Sequence, residues 1–266
     1  MLNEERLRSA LPVQGLGAEL HFYRILGSTN DEAGVLARRG APEGTLIVAE
    51  EQTSGRGRAG HAWLTPPGSA IALSILLRPR ALAPEAVGSL SALGALAVAE
   101  ALDAQGADAL IKWPNDVLLD GRKVAGVLAE GSWSGDALEH VVVGIGVNVK
   151  PASDPAEGGL AYPATCVEAA VGRSVDRHAL LVGIVEGMAR WYPRLGTQPL
   201  VDAWERRLAF RGREVSIVDE EGNDTHRGVV EGLLADGRLK VRTRQGSVIL
   251  LRPEGSHLRS VDTAAA

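Results

Sequence analysis

The stretch from Gly55 to Gly60 has the sequence GRGRAG, which combines flexible backbone with two strong cations. Glycines lack a Cβ, so their N–H groups can converge on an anion. Arg56 and Arg58 each add forked donors that suit carboxylate or phosphate. The stretch therefore predicts an anion-binding loop. Taken alone, the same residues are also compatible with a solvated turn and, as a weaker alternative, with an arginine-glycine segment that binds RNA.

The glycines of this loop also match G-x-G-x-x-G, the pattern of dinucleotide-binding folds. That site needs a strand before the loop, a helix after it and an acidic residue about 20 residues further on. The run Thr45–Ala49 predicts the strand. The segment HAWLTPPGS, with Pro66 and Pro67, argues against the helix, and Arg78–Arg80 stands where the acid is needed. No Gly-Lys-Ser/Thr follows, so a Walker A loop is rejected as well.

A second group of reactive side chains occurs in KWPND, at the end of a predicted strand. Lys112 supplies a cation, Asn115 and Asp116 offer oxygen ligands, and Pro114 fixes the backbone. As an alternative, Pro-Asn-Asp is an ordinary turn in which Asn bonds to its own backbone. The histidines show no metal-ligand spacing, and no persuasive Ser/His/Asp set occurs, so neither a histidine-ligated metal centre nor a nucleophilic triad is predicted.

The composition is that of an ordinary globular protein. The chain has 266 residues, of which 45% are hydrophobic and 23% charged, with a net charge of −5. The negative charge argues against a general nucleic-acid binder. The single cysteine, Cys166, excludes an internal disulfide. The apolar stretch from Val87 to Leu102 is interrupted by glycines and serines, and it predicts a buried helix rather than a membrane span.

The elements that must position these groups are a series of strands and helices. Ser28–Glu32 contains a capping box and starts a helix that stops before Gly40. Asp120-Gly121 predicts a hairpin turn. The other expected elements are strands at 70–77, 109–113, 124–130 and 141–149, and helices from about 84 to 105, 176 to 191 and 200 to 208.

After Phe210 the pattern changes to short strands separated by turns that contain glycine. Strands are expected at 214–218, 227–233, 239–243 and 248–251. This spacing predicts a small antiparallel barrel. We therefore divide the chain into residues 1–210 and 211–266.

Four blocks, preceded by Ser28-Thr29-Asn30, occur in a fixed order. They are EQTSGRGRAGHAW (51–63), KWPNDV (112–117), GRKVAGVLAE (121–130) and VGIGVNV (143–149). Together they resemble the biotin–protein ligases, also called biotin–[acetyl-CoA-carboxylase] ligases. Because Ser28-Thr29-Asn30 comes so early, the chain is similar to the monofunctional subgroup, which lacks an N-terminal DNA-binding domain.

The resemblance implies a fold and an activity. The expected fold class is α/β (α+β), with a mixed-sheet catalytic domain related to class II aminoacyl-tRNA synthetases, followed by an SH3-like barrel. The expected reaction makes biotinyl-5′-AMP from biotin and ATP with Mg²⁺. Biotin is then transferred to one lysine of a biotin carboxyl carrier protein.

The family's biotin contacts can be carried over onto matching positions of this sequence. Ser28, Thr29 and Gln52 would hold the ureido end, and Trp63 would support the loop. The full expected set is Ser28, Thr29, Asn30, Gln52, Gly55, Arg56, Gly57, Arg58, Lys123 and Gly126.

The resemblance also implies a nucleotide site and catalytic groups. Arg58 and Lys123 would bridge the biotin carboxylate and the α-phosphate, with Lys112 and Asp116 completing the catalytic set. Asp116 is also the expected Mg²⁺ ligand and one candidate base for the lysine nucleophile, solvent being the other. The expected ATP contacts are Arg58, His61, Asn115, Asp116, Lys123 and Asn148.

The sequence departs from the family pattern in two places. His61 stands where many relatives have arginine, so one phosphate contact should depend on pH. Near the C-terminus Arg259 is present, but the acid is displaced to Glu254. Tyr162 is the nearest candidate for a residue that stacks on adenine.

The remaining expectations concern partners and location. We expect a carrier domain as partner, no nucleic acid, no membrane, a cytoplasmic location and a possible homodimer. A lipoate–protein ligase is the nearest alternative function, and a non-catalytic carrier-docking module is the alternative from another class.

Overall fold

The computed structural model describes residues 1–79, 89–135, 137–153, 163–219, 223–253 and 256–261, which form two sheets with surrounding helices. The helices are α1 (Glu4–Ala10), α2 (Thr29–Arg38), α3 (Ser89–Asp103), α4 (Val167–Val171), α5 (Arg177–Trp191) and α6 (Gln198–Arg206). The strands are β1 (Leu20–Leu26), β2 (Leu46–Gln52), β3 (Ala70–Leu77), β4 (Leu110–Lys112), β5 (Asp116–Leu119), β6 (Arg122–Ser134), β7 (Ala137–Asn148), β8 (Glu214–Val218), β9 (Asp224–Leu233), β10 (Leu239–Thr243), β11 (Val248–Leu251) and β12 (His257–Ser260).

The larger sheet is mixed, with strand order β1-β2-β3-β7-β6-β5-β4. β1 and β2 are parallel, and the other neighbours are antiparallel. Helix α2 packs on one face, where Ala33 and Ala37 contact Ile47 and Leu76. Helices α3 and α5 cover the other face. The predicted mixed α/β architecture is confirmed.

Helix α3 is buried along almost its whole length, as its apolar sequence predicts. A Cβ on Gly94 would lie 2.8 Å from the Val127 side chain, and one on Gly187 would lie 2.9 Å from Ala97. Glycine at these positions therefore allows α3 to lie close to both the sheet and α5. Within the described residues, no helix is long and apolar enough to cross a membrane.

Large apolar residues alternate with glycines along the second half of β7, so the two faces of the sheet differ there. Val143, Ile145 and Val147 point into the core beneath α3. Gly144 and Gly146 alternate with them, so they face the side that carries α2. In the register, Gly146 pairs with Gly126 of β6 and with Ala72 of β3. Small residues in three adjacent strands thus leave space on that face.

The β5–β6 hairpin turns at Asp120-Gly121, as predicted, with positive φ at both residues. Leu118 pairs with Lys123, but Val117 pairs with Ala125, so Val124 is an extra residue in β6. The bulge changes the alternation of β6. As a result, Lys123 and Gly126 share one face of the sheet with Asp116.

The second sheet is antiparallel, with order β11-β10-β9-β8-β12, and it has the SH3-like character that was expected. It is bonded to the larger domain at the side of the KWPND segment. Trp113 Nε1 donates to the Gly237 carbonyl at 3.0 Å. The Leu233 N–H donates to Glu205 Oε2 at 3.0 Å. The boundary predicted at residue 210 falls between α6 and β8 and stays a prediction.

Most of the predicted elements are present. β3 has the predicted bounds, and α2 begins after Ser28, whose Oγ accepts from the Asp31 N–H at 3.5 Å. Beyond Gly60 the chain continues from one 3-10 turn into extended structure, so the helix that a dinucleotide-binding loop requires does not follow this loop. The expected start of α3 at Pro84 lies outside the described residues. The elements α1, α4, β1 and β12 were not predicted, and β5 was implied only by the hairpin turn at Asp120-Gly121.

Candidate active site

A cavity of about 580 Å³ lies on the glycine-rich face of the larger sheet. This volume is within the range of sites for small molecules and cofactors. It is lined by most of the residues that the sequence predicted. They are Ser28, Thr29, Asn30, Gln52, Arg56, Gly57, Arg58, His61, Lys112, Asn115, Asp116, Lys123, Gly126 and Asn148.

Gly55 is the predicted residue that does not line the cavity. A Cβ there would lie 2.5 Å from the Trp63 carbonyl oxygen and 2.7 Å from Gln52 Nε2. Gly55 therefore allows the two arms of the loop to approach, and its O accepts from the Trp63 N–H at 2.9 Å. The position requires glycine for loop packing rather than for a ligand contact.

One part of the cavity is a compact hydrogen-bonding group. Thr29 donates its backbone N–H and its hydroxyl to Gln52 Oε1, at 2.8 and 3.1 Å. Gln52 Nε2 donates to Thr65 Oγ1 at 3.3 Å. Ser74 Oγ, which is fully buried, lies 2.8 Å from Thr29 Oγ1. These contacts fix the Thr29 and Gln52 side chains before any ligand is present.

Asn30 links this group to the arginine loop. Its Oδ1 lies 2.6 Å from Ser74 Oγ, and its Nδ2 donates to Glu130 Oε2 at 2.5 Å. Arg56 lies 3.7 Å from Glu130 and donates to both oxygens of Asp31 in α2, at 2.7 and 2.6 Å. Arg56 therefore fastens the loop to α2.

Trp63 forms a wall of the cavity. A Cβ on Gly146 would lie 2.3 Å from its ring, and one on Gly126 would lie 3.3 Å from it. The Lys123 Nζ is 5.5 Å from the ring centroid, close enough for a cation–π interaction. The indole Nε1 is buried and has no hydrogen-bond partner among the described residues. Trp63 thus supports the loop, as expected, and also shapes the space.

Three of the expected catalytic residues form one charged cluster. Asp116 accepts from Lys112 Nζ at 2.8 Å and from Lys123 Nζ at 2.6 Å, one on each oxygen. Burial acts to raise the pKa of Asp116, but the two ammonium groups outweigh it and hold that pKa well below its ordinary value. Asp116 is therefore an ionised anchor for both lysines. This geometry does not favour Asp116 as the base for the lysine nucleophile. That role stays a prediction.

Arg58 connects this cluster to the second sheet. Its Nη1 donates to Asn115 Oδ1 at 3.3 Å, and its Nη2 donates to the Pro253 carbonyl at 2.6 Å. Asn115 Nδ2 donates to the Val127 carbonyl at 2.7 Å. His61 Nδ1 lies 2.9 Å from the Arg58 carbonyl oxygen. Arg58 therefore lies between the two domains, next to the cavity.

The second sheet contributes one side of the cavity, of which the sequence indicated only Arg259. Its lining residues are Val218, Asp219, His257, Leu258 and Arg259. Burial, together with the charges of Arg58 and Lys112, lowers the pKa of His257 to about 4. The imidazole is therefore neutral at pH 7. Burial is the larger cause of this lowering, and the neighbouring positive charges add to it.

The donors around Asp116 do not fit a divalent cation. Both carboxylate oxygens already accept from ammonium groups, and Lys112 and Lys123 would repel a second cation. No group of three His, Cys, Asp or Glu residues in the described part of the chain could hold a metal ion. The expectation that Asp116 binds Mg²⁺ stays a prediction that this geometry does not favour.

The remaining expectations concern the edge of the cavity. Asn148 lines it and donates its Nδ2 to the Thr165 carbonyl at 3.2 Å. Arg259 also lines it and lies 3.5 Å from Asp224. Tyr162 and Glu254 lie outside the described residues.

Two site residues escaped the sequence analysis for different reasons. Ser74 sits within the apolar run AIALSILL, where one hydroxyl gives no signal of its partners. His257 begins a strand of four residues in a domain that was expected to be separate. The register β3-β7-β6 would have placed Ser74 opposite Gly144, but that register cannot be read from one sequence.

Comparison with known proteins gives matches over nearly the whole chain. A family model described as the biotin/lipoate A/B protein ligase family matches residues 23–148. The bifunctional ligase/repressor BirA of Bacillus spizizenii is 34% identical over 249 residues, which are 92% of this chain and 76% of that protein. The biotin–[acetyl-CoA-carboxylase] ligase of Paracoccus denitrificans is 39% identical over 231 residues, covering 84% and 94%.

Among solved structures, the chain is similar to a biotin protein ligase from Aquifex aeolicus in complex with biotin and ATP. The TM-score is 0.76 and the sequence identity is 27%. The match covers 91% of this chain and 99% of the other. It therefore includes the second sheet as well as the larger domain.

Proposed function

This chain belongs to the biotin/lipoate A/B protein ligase family, and from that premise we propose that it is a biotin–protein ligase. It uses ATP to activate biotin as biotinyl-5′-AMP and then transfers biotin to a lysine of a carrier protein. The family model covers lipoate ligases as well. That alternative is not favoured, because the relatives with high identity are named as biotin ligases.

The observation that carries the proposal is the division of the cavity into a neutral and a cationic part. The neutral hydrogen-bonding group lies over β2 and β3, and the lysine pair on Asp116 lies over β4 to β6. From β3 to β5 there are three strand spacings, or about 14 Å. The glycines of β7 and β6 and the Trp63 ring lie between them. Biotin has the matching pattern: a ureido edge, an apolar bicycle and a carboxylate tail.

In the first half-reaction an oxygen of the biotin carboxylate attacks the α-phosphorus of ATP, and the bond to pyrophosphate breaks. Two anions must approach each other, so the main contribution of the protein is positive charge that is already in place. Arg58, Lys112 and Lys123 carry three positive charges against the one carboxylate of Asp116. Asn115 and Asn148 are the neutral groups that we place at the nucleotide.

In the second half-reaction the uncharged amine of the carrier lysine attacks the acyl carbon of the anhydride, and AMP leaves. The amine must first lose its ammonium proton, and we assign that proton to solvent. Asp116 is a poor acceptor because its two ion pairs stabilise the ionised form. The role of the cavity in this step is to hold the anhydride and to stabilise the leaving phosphate.

Magnesium would bind together with the nucleotide. Mg²⁺ would be held by phosphate oxygens as part of the ATP substrate, because the donor set at Asp116 does not fit it. The proposed partner is a biotin carboxyl carrier domain, and the proposed location is the cytoplasm. Neither nucleic acid nor membrane is required by the site.

The direct test is exchange of labelled pyrophosphate into ATP, measured with biotin, with lipoate and without an acid substrate. Exchange that depends on biotin is the expected result. Exchange with lipoate alone would overturn the choice of substrate. A chain that binds a carrier domain but shows no exchange with either acid would be a docking module.

A further inference from the structure

The hydrogen-bonding group of the cavity includes a buried serine that does not itself line the cavity. Ser74 has no exposed surface, and its Oγ lies 2.8 Å from Thr29 Oγ1 and 2.6 Å from Asn30 Oδ1. It does not line the cavity, whereas Thr29 and Asn30 do. Any effect of Ser74 on a ligand must therefore pass through one of these two residues.

The direction of the bond between Ser74 and Asn30 is fixed by the other end of the amide. Asn30 Nδ2 donates to Glu130 Oε2 at 2.5 Å and to the Leu128 carbonyl at 3.4 Å. Asn30 Oδ1 therefore points to Ser74 and can only accept. The Ser74 hydroxyl has one proton, and the shorter contact assigns it to Asn30.

The Thr29 hydroxyl is consequently enclosed by acceptors inside the protein. With its own proton given to Asn30, Ser74 Oγ can accept the Thr29 proton at 2.8 Å, and Gln52 Oε1 can accept it at 3.1 Å. In either arrangement the Thr29 proton points away from the cavity. Thr29 then presents only lone pairs to a ligand, which suits an N–H donor such as that of a ureido group.

We propose that Ser74 is a positioning residue that keeps the Thr29 hydroxyl an acceptor towards the ureido end of the biotin site. The proposal rests on the proposed function, and it adds a residue that sets which groups can bind there. Without Ser74, the Thr29 proton has only Gln52 Oε1 as its internal acceptor, and that oxygen already accepts the Thr29 N–H at 2.8 Å. Gln52 Oε1 can still accept that proton, but with one internal acceptor instead of two the hydroxyl turns into the cavity more often, where its proton opposes a ligand N–H.

The close packing around Asn30 supports one fixed arrangement of the Asn30 and Ser74 side chains. A Cβ on Gly144, which pairs with Ser74 across β3 and β7, would lie 2.1 Å from Asn30 Oδ1. Glycine at 144 is thus required for the Asn30 amide to reach Ser74. The same amide is bonded to Glu130, which Arg56 approaches to 3.7 Å. A continuous chain of polar contacts therefore connects the arginine loop to Thr29 through Glu130, Asn30 and Ser74.

The test is a double-mutant cycle of Ser74→Ala and Thr29→Val, read as KM for biotin, KM for ATP and kcat in biotin-dependent pyrophosphate exchange. Ser74→Ala is expected to raise KM for biotin about five- to tenfold, the effect of one hydrogen bond, with KM for ATP unchanged. In the Thr29→Val background the same change should have less than about a twofold effect, because the group through which Ser74 acts is gone.

Ser89→Ala is the matched control, since Ser89 is equally buried but its Oγ has no partner among the described residues. It should leave all three constants unchanged. If Ser74→Ala does not fold, Ser74→Cys keeps a weak donor of similar shape and should raise KM for biotin by a smaller factor.

An unchanged KM for biotin in either Ser74 variant overturns the inference alone, if the wild type shows biotin-dependent exchange. Equal effects of Ser74→Ala with and without the Thr29 hydroxyl also overturn it, since Ser74 would then act only through packing. Absence of exchange in the wild type overturns the proposed function and this inference together.

Discussion

Lys123 and Gly126 are an odd number of residues apart in one strand, yet both lie on the face that carries Asp116. The extra residue Val124 changes the alternation of β6, so that Gly126 pairs with Asp116 while Lys123 pairs with Leu118. The Lys123 Nζ lies 3.3 Å from the position of a Cβ at residue 126. The bulge thus places the Lys123 ammonium group next to the open space above Gly126. Bulges near active sites often redirect a side chain in this way.

Gly146→Ala should damage biotin binding more than folding. The new Cβ would lie 2.3 Å from the Trp63 ring, which forms the wall of the cavity. We expect KM for biotin to rise between about 5- and 100-fold, because overpacking costs about 1–3 kcal/mol. In the control Gly183→Ala, the Cβ meets Ala101 at 3.5 Å, an ordinary contact. Equal KM values for the two variants would contradict the role assigned to the glycine row.

Asp116→Asn should slow adenylate formation by about 100-fold, because Lys112 and Lys123 lose the carboxylate that positions them. In the wild type, the contribution of these ion pairs is present above the ordinary carboxyl pKa. It is lost only as the pH falls through the depressed pKa. Asp116 should therefore produce no inflection in the rate between pH 5 and pH 8. An inflection there that disappears in Asp116→Asn would show that Asp116 is a base.

His257 should make the folded state sensitive to acid. Its pKa is about 4 in the folded protein against an ordinary value of 6.5, so the unfolded chain binds the proton more readily between these values. Stability should therefore fall as the pH drops from about 6.5 to about 4. The loss of melting temperature over this range should be smaller in His257→Gln. His226→Gln, at an exposed barrel position, should behave as the wild type.

Arg177→Met should be strongly destabilising, by about 3–5 kcal/mol, because it leaves the Glu50 carboxylate buried without its partner. Arg177 and Glu50 are 5% and 1% exposed, and their closest contact is 2.9 Å. Glu50 also accepts from the Leu2 and Gly68 N–H groups at 2.8 and 2.5 Å. The measurement is urea unfolding at pH 7.

Arg6→Met is the control for this pair, because the ion pair of Arg6 with Asp176 is largely exposed. Its cost should be at most about 1 kcal/mol. A similar cost for both variants would mean that burial of the Glu50 pair does not determine its contribution.

Features that depend on residues adjacent in the sequence could be predicted, whereas features that depend on strand register could not. The motifs GRGRAG, KWPND and GRK were predicted to meet, and the cavity is lined by residues from all three: Arg56, Gly57, Arg58, Lys112, Asn115, Asp116 and Lys123. The exchange of faces at Val124 was not predicted, because a bulge is set by the pairing of two strands. Ser74 was missed for the same reason, since its partners lie on other elements, whereas His257 was missed because its barrel was expected to be a separate domain.

The central claim is that Arg58 and Lys123 supply the positive charge for joining the carboxylate of biotin to the α-phosphate. The measurement is the rate of biotin-dependent pyrophosphate exchange in Arg58→Ala and Lys123→Ala, together with melting temperatures. Arg244→Ala, which removes an exposed barrel arginine, is the control. We predict that the two site variants lose about 100- to 1000-fold in rate with little change in melting temperature. Wild-type rates in both variants, or losses that only follow the melting temperature, would contradict the account.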